Sequence, residues 1–247
     1  MNVRIHRSAE DVASAVVHDV AGAIARTPTL SLGLPAGQTP ILLYRELVLV
    51  TRARPLDWSR IRTFNIDEFI TPADAGRQPY AQFMHDHLLS HVPVAPAHIH
   101  ALNGRAPDLD AACDRYERAI AAAGGLDLVL LGIGANGHIG FNEPGTAAET
   151  RTHIATLAQA SRAANAWLFG GDVDSVPVRA LTMGLATILE ARTIVLVAIG
   201  EAKAAAMSAM RHGPITTTCP ASLLQTHPDV TLVIDDAAAS GTAASIK

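Results

Sequence analysis

Apolar positions follow two rhythms along this chain. Over residues 9–25, AEDVASAVVHDVAGAIA, they recur at the three-and-four spacing of a helix face, with Ser8 placed to cap it. Over 126–134, LDLVLLGIG, they run almost unbroken, as in a strand covered on both faces. These signatures alternate to the end of the sequence. Further strands are expected over 29–34 (TLSLGL), 61–66 (IRTFNI), 193–200 (TIVLVAIG) and 230–235 (VTLVID). Further helices are expected from about Ile41 to Val50, and over 80–89, 108–125, 178–191, 201–212 and, briefly, 219–227. The alternation predicts an α/β fold in a single domain spanning 1–247: an open, mainly parallel sheet with helices on both faces. Two stretches, 71–79 and 145–178, carry no clear period, and 145–178 is a candidate lid.

Composition agrees with this picture. The chain is 49% hydrophobic, rich in alanine and only 17% charged, which suits helices packed on a sheet rather than a disordered chain. No stretch reaches the roughly 18 continuous apolar residues of a membrane span, and MNVRIHRSAEDVA lacks the apolar core of a signal peptide. Cys113 and Cys219 lie far apart and show no zinc or redox spacing, so a reduced, cytoplasmic protein is expected. With a net charge of −4 and no basic run, nucleic acid is not an expected partner.

Polar residues collect where the expected strands end, which is where open α/β sheets bind ligands. PAGQTP (35–40) places Gly37, Gln38 and Thr39 at a strand-to-helix turn, where backbone N–H groups attract anions. It reads equally as an ordinary tight turn. Lys203, one turn past Gly200, offers a cation, though a solvated lysine is the commoner fate. Asp67 and Glu68 follow a strand directly, and their side chains leave it on opposite sides. One can face a cleft as a general base, or both can be caps. LLGIGANGHIGFNEPG (130–145) is richer. His138 titrates near neutrality, Glu143 can hold its tautomer, Asn136 lies beside both, and Gly134, Gly137 and Gly140 permit backbone shapes closed to other residues.

GLPAGQTP, FNIDEF, LGIGANGHIGFNEPG and PASLLQTHPDVTLVID together resemble the glucosamine-6-phosphate deaminase (glucosamine-6-phosphate isomerase) family, related to the 6-phosphogluconolactonases. The resemblance runs from about Leu30 to Asp235 and implies a Rossmann-like, NagB-type fold. It implies conversion of glucosamine 6-phosphate and water to fructose 6-phosphate and ammonia, without metal or organic cofactor. Such an enzyme is at once an aldose–ketose isomerase and a hydrolase acting on an amino-sugar phosphate. Asp67 matches the aspartate that moves a proton between C2 and C1, His138 the histidine that opens the sugar ring, and Glu143 the glutamate paired with it. Gly37, Thr39 and Lys203 match phosphate-holding groups, with Gln38 between them. The expected partner is a small-molecule sugar phosphate, and the expected state is a monomer or small homo-oligomer.

The sequence departs from the family pattern in three places. Asn136 stands where many members carry aspartate, which should leave His138 less basic; shorter members also carry asparagine. Trp167 stands where larger members place a phosphate-binding arginine, and Arg179 is the candidate replacement. His153 and Ala155 stand where allosterically activated members use basic residues, and the C-terminus is short, implying little or no activation by N-acetylglucosamine 6-phosphate. The alternatives to a glucosamine-6-phosphate deaminase are a 6-phosphogluconolactonase-like hydrolase, a galactosamine-6-phosphate deaminase, and a non-catalytic sugar-phosphate sensor.

Overall fold

The computed structural model describes residues 1–54, 56–72 and 76–241. Residues 73–75 of the aperiodic stretch 71–79 and the C-terminal 242–247 lie outside the described residues. In chain order the elements are β1 (Asn2–His6), α1 (Ala9–Arg26), β2 (Ser31–Leu34), α2 (Thr39–Ala53), β3 (Arg62–Asn65), β4 (Asp67–Phe69), α3 (Pro79–Met84), β5 (Ile99–His100), α4 (Leu109–Ala122), β6 (Leu128–Gly132), β7 (His153–Thr156), α5 (Gln159–Asn165), β8 (Arg179–Thr182), α6 (Leu185–Leu189), β9 (Thr193–Ala198), α7 (Ala204–His212), β10 (Val230–Asp235) and α8 (Asp236–Ala239).

Local chemistry sets the helix starts. The Ser8 hydroxyl accepts from the Asp11 N–H at 3.1 Å, and α1 buries a stripe of Val12, Val16, Val20 and Ile24. Pro40 sits in the first turn of α2, where its missing N–H leaves no bond unmade. Asp108 caps α4 through the Ala111 N–H at 2.9 Å.

The main sheet has the order β1-β10-β9-β6-β2-β3-β5, with every pairing parallel. Strand β6 shows why its sequence is apolar throughout. Leu128 and Leu130 enter the core beneath α1 and α2, while Val129 and Leu131 enter the opposite core beneath α4 and α7. Each such side chain contributes about 1.5–3 kcal/mol by leaving water. From β2 the chain builds outward through β3 and β5, whereas from β6 it builds the other way through β9 and β10. The order therefore reverses between β2 and β6, and a crevice opens at their carboxyl ends.

A second, antiparallel sheet of order β4-β8-β7 stands beside the first and corrects three expectations. Residues 178–191 were expected to be one helix; Arg179–Thr182 instead form β8, and helix resumes only at Leu185. The backbone of β8 finds partners on both sides, in β4 and β7, and that pairing outweighs a weak helical preference. The strand expected over 61–66 ends at Asn65. Ile66 donates to Leu34 O and accepts from Met183 N, bridging the two sheets, so that β4 leaves for the second. Finally, 145–178 contains β7 and α5 rather than an aperiodic loop. Helix α3 also relaxes into a π-helical turn at His85–Leu89, and β1, β5 and α8 were not foreseen.

Candidate active site

The crevice contains a cavity of about 350 Å³ at the carboxyl ends of β2, β6 and β9, a size suited to a small ligand. One end is formed by the turn from β2 into α2, with Gly37, Gln38 and Thr39 on the wall. Gly37 has φ of 113°, and a side chain there would meet nothing within 4 Å, so glycine is needed for backbone shape rather than space. Lys203 reaches the same cavity from the turn after β9. Both carboxylate oxygens of Asp235 accept from Gly200 N, at 3.0 and 2.9 Å, which pins that turn. Burial lowers the pKa of Lys203, and no carboxylate pairs with it among the described residues. This end combines α2 N–H groups with a cation, the chemistry of an oxyanion or phosphate site.

Asp67 and Glu68 define another wall and part company. Asp67 lines the cavity, is only 6% exposed, and its Oδ1 accepts no hydrogen bond among the described residues. Burial, reinforced by the neighbouring Glu68 charge, pushes its pKa well above the carboxylate range. Glu68 turns away. Its carboxylate accepts from Phe69 N at 2.8 Å, Tyr80 N at 3.0 Å and Ala81 N at 2.7 Å, and so caps α3. Burial raises its pKa to about 7 against the opposing pull of those N–H groups and of Arg105.

The loop that follows β6 supplies a further part of the wall, through Gly134, Asn136 and His138. The ring of His138 rests on Gly134, where any Cβ would fall 2.2 Å from the imidazole Cε1. Hydrogen-bond logic fixes its tautomer. Asn136 Nδ2 donates to Glu143 Oε2 at 2.8 Å, so the amide oxygen of Asn136 faces the ring, 2.7 Å from His138 Nδ1. An amide oxygen only accepts, so Nδ1 carries the proton and Nε2 is the basic nitrogen. Burial lowers the pKa of His138 and Lys203 adds to this, while Glu143 opposes. Glu143 Oε2 stands 3.7 Å from Nδ1, and the carboxylate sits behind Asn136 rather than on the cavity wall. Its Oε1 accepts from Ala158 N at 3.0 Å and from the Ser161 hydroxyl.

The structure therefore brings Gly37, Gln38, Thr39, Asp67, Asn136, His138 and Lys203 to one cavity, with Glu143 directly behind. It does not bring Arg179 there. That residue is exposed on β8 opposite Thr156, a position that follows from the strand replacing the expected helix. Trp167 is not on the cavity wall either; its indole packs edge-on against Phe83 at 6.2 Å. Three polar contributors escaped sequence reasoning. Tyr80 and Asn165 line the cavity and share a 2.6 Å hydrogen bond, and Ser161 touches Glu143. All three lie outside the motifs, and only the fold brings them in. Among the described residues no three His, Cys, Asp or Glu side chains are grouped to hold a metal ion.

Comparison with known proteins follows this geometry. Residues 5–233 match the family described as glucosamine-6-phosphate isomerases/6-phosphogluconolactonase. Glucosamine-6-phosphate deaminase 2 of Bacillus subtilis (strain 168) is 48% identical over 209 residues, 84% of each chain. A solved monomeric glucosamine-6-phosphate deaminase of the NagB superfamily aligns with a TM-score of 0.93 at 40% identity, covering 98% of this chain and 100% of that one. The 6-phosphogluconolactonase of Trypanosoma brucei aligns with a TM-score of 0.76 at 20% identity, covering 98% of each chain, and so shares the fold. Motif, cavity and near full-length similarity agree: the chain belongs to the glucosamine-6-phosphate isomerase/6-phosphogluconolactonase family.

Proposed function

We propose that this protein is a glucosamine-6-phosphate deaminase, converting glucosamine 6-phosphate and water to fructose 6-phosphate and ammonia. The observation that carries the reading is the buried, unpaired Asp67 carboxylate sharing a cavity with a tautomer-fixed His138. The sugar phosphate anchors at Gly37–Thr39 and Lys203, and that remote contact holds the reacting carbons in place. His138 Nε2 takes the proton of the anomeric hydroxyl and returns it to the ring oxygen, which opens the sugar. Asp67 then removes the C2 proton beside the aldehyde and delivers it to C1, while the substrate ammonium gives up one proton that ends on O1, leaving a C1 hydroxyl and a C2 iminium. The raised pKa of Asp67 makes it a stronger base for that step. The resulting C2 iminium takes up water and expels ammonia.

The family description names isomerases, and the proton shift from C2 to C1 is an isomerisation. Water enters only to release the amine, so hydrolysis describes the stoichiometry and isomerisation the catalytic work. An anion sensor has no use for an unpaired buried carboxylate, which weighs against a purely binding role. The reading places the protein in cytoplasmic amino-sugar metabolism, acting as a monomer or small homo-oligomer; the solved neighbour is described as monomeric. The helix α5 segment within 145–178, whose Ala160, Ala164 and Asn165 line the cavity, is the candidate lid. We expect little response to N-acetylglucosamine 6-phosphate.

The test is a side-by-side assay of ammonia and ketose phosphate release from glucosamine 6-phosphate and galactosamine 6-phosphate, with hydrolysis of 6-phosphogluconolactone alongside. Fast release from glucosamine 6-phosphate alone is the expected result. Tight binding of that sugar without ammonia release overturns the reading in favour of a sensor.

A further inference from the structure

We propose that Ser161 is a positioning residue of the acid–base set, its hydroxyl joining Glu143 to His138 on the side that Asn136 does not reach. The inference rests on the deaminase reading of the site. The Glu143 carboxylate stands 3.7 Å from His138 Nδ1, too far for a direct hydrogen bond. Asn136 is the first bridge, donating to Oε2 and accepting from the ring, but its amide carries no charge. Ser161 is the second bridge. Its Oγ donates to Glu143 Oε1 and lies 3.2 Å from His138 Nδ1.

A serine hydroxyl has one proton and two lone pairs. With the proton committed to a carboxylate that only accepts, a lone pair is left for the Nδ1–H. The ring N–H thus meets two acceptors, each polarised by the same carboxylate, and the four side chains close a loop. When Nε2 takes a proton during ring opening, the new positive charge is stabilised through both bridges. The charged groups acting on His138 are Glu143 from its own loop and Lys203 from the turn after β9. Ser161 is the uncharged group contributed by α5.

The placement of Ser161 is itself built. It is 1% exposed, its carbonyl accepts from Asn165 Nδ2 at 2.9 Å, and Asn165 Oδ1 accepts from the Tyr80 hydroxyl. That chain ties the serine to the Asp67 wall, because Tyr80 N donates to Glu68.

The experiment compares Ser161→Ala with the parent by steady-state kinetics on glucosamine 6-phosphate and by NMR titration of 15N-labelled histidine. The variant is expected to lose about tenfold in kcat, roughly one hydrogen bond to a charged group, with KM within about twofold. The His138 ring is expected to titrate at lower pH than in the parent, because its charged form has lost an acceptor. Unchanged kcat and titration overturn the proposal. So does a fall in kcat with lower thermal stability but an unmoved titration, which marks Ser161 as packing alone. If the parent releases no ammonia, the functional reading fails, while the titration still decides the role of Ser161.

Discussion

Asp67 and Glu68 are adjacent carboxylates on one short strand, both nearly dry, yet their surroundings make them opposites. Three backbone N–H groups converge on Glu68, and none of the described donors reaches Asp67 Oδ1. Burial raises the pKa of both, so neither depth nor protonation behaviour tells them apart. What separates them is where each spends its acceptor capacity. A carboxylate whose oxygens are filled by the main chain holds the fold, and one left with an empty oxygen facing a cavity is available to a substrate.

The contrast is broken or sharpened most strongly at Asp67. Asp67→Asn is expected to cut kcat by about 10²–10⁴-fold, with KM and the unfolding temperature nearly unchanged. Near-normal turnover in that variant would remove Asp67 from the mechanism. Glu68→Ala should do the reverse. Three N–H groups, two of them buried, lose their acceptor, at a cost of about 3 kcal/mol in urea unfolding. If stability stays within error of the parent, Glu68 does not anchor α3. Extending the comparison to another residue of the cavity wall, Lys203→Ala is expected to raise KM about tenfold or more with a smaller effect on kcat. An unmoved KM shows that Lys203 does not hold the phosphate.

The smallest expected effect is in the pH profile. In the proposed mechanism Asp67 is ionised when it takes the C2 proton, and its pKa is raised, so kcat/KM should climb with pH through a range above that of an ordinary aspartate. The proposed phosphate contact needs Lys203 charged, and its pKa is lowered, so KM should begin to rise below the pH at which an exposed lysine deprotonates. Lys203→Arg should delay that rise, because the guanidinium stays charged. An acid limb at the position of a solvent-exposed aspartate contradicts the assignment of the base.

How much of this could be read from the sequence depended on how local each feature is. The loop from Gly134 to Glu143 was legible because its glycines, amide, imidazole and carboxylate are contiguous and interact mainly with one another. The turn at Gly37–Thr39 was legible for the same reason. At Asp67 and Glu68 the sequence showed that the two must diverge but not which one faces the cleft, since the N–H groups that claim Glu68 include two from α3, a dozen residues on. Strand β8 was misread because its partners, β4 and β7, lie far away in sequence, and Arg179 was misplaced with it. Ser161, Tyr80 and Asn165 were missed because the contacts that tie them into the site cross sequence separations of 18 residues or more.

The bare Cα of Gly134 has a consequence for which sugars can react. The imidazole of His138 fills the space a Cβ would take, so any larger residue at 134 must displace the ring. Lys203 reaches the same cavity from a turn whose Gly200 N–H is held by both Asp235 oxygens. With the proposed anion grip and the imidazole on one cavity wall, a phosphorylated sugar shorter by one carbon is expected to react with a lower kcat/KM than glucosamine 6-phosphate.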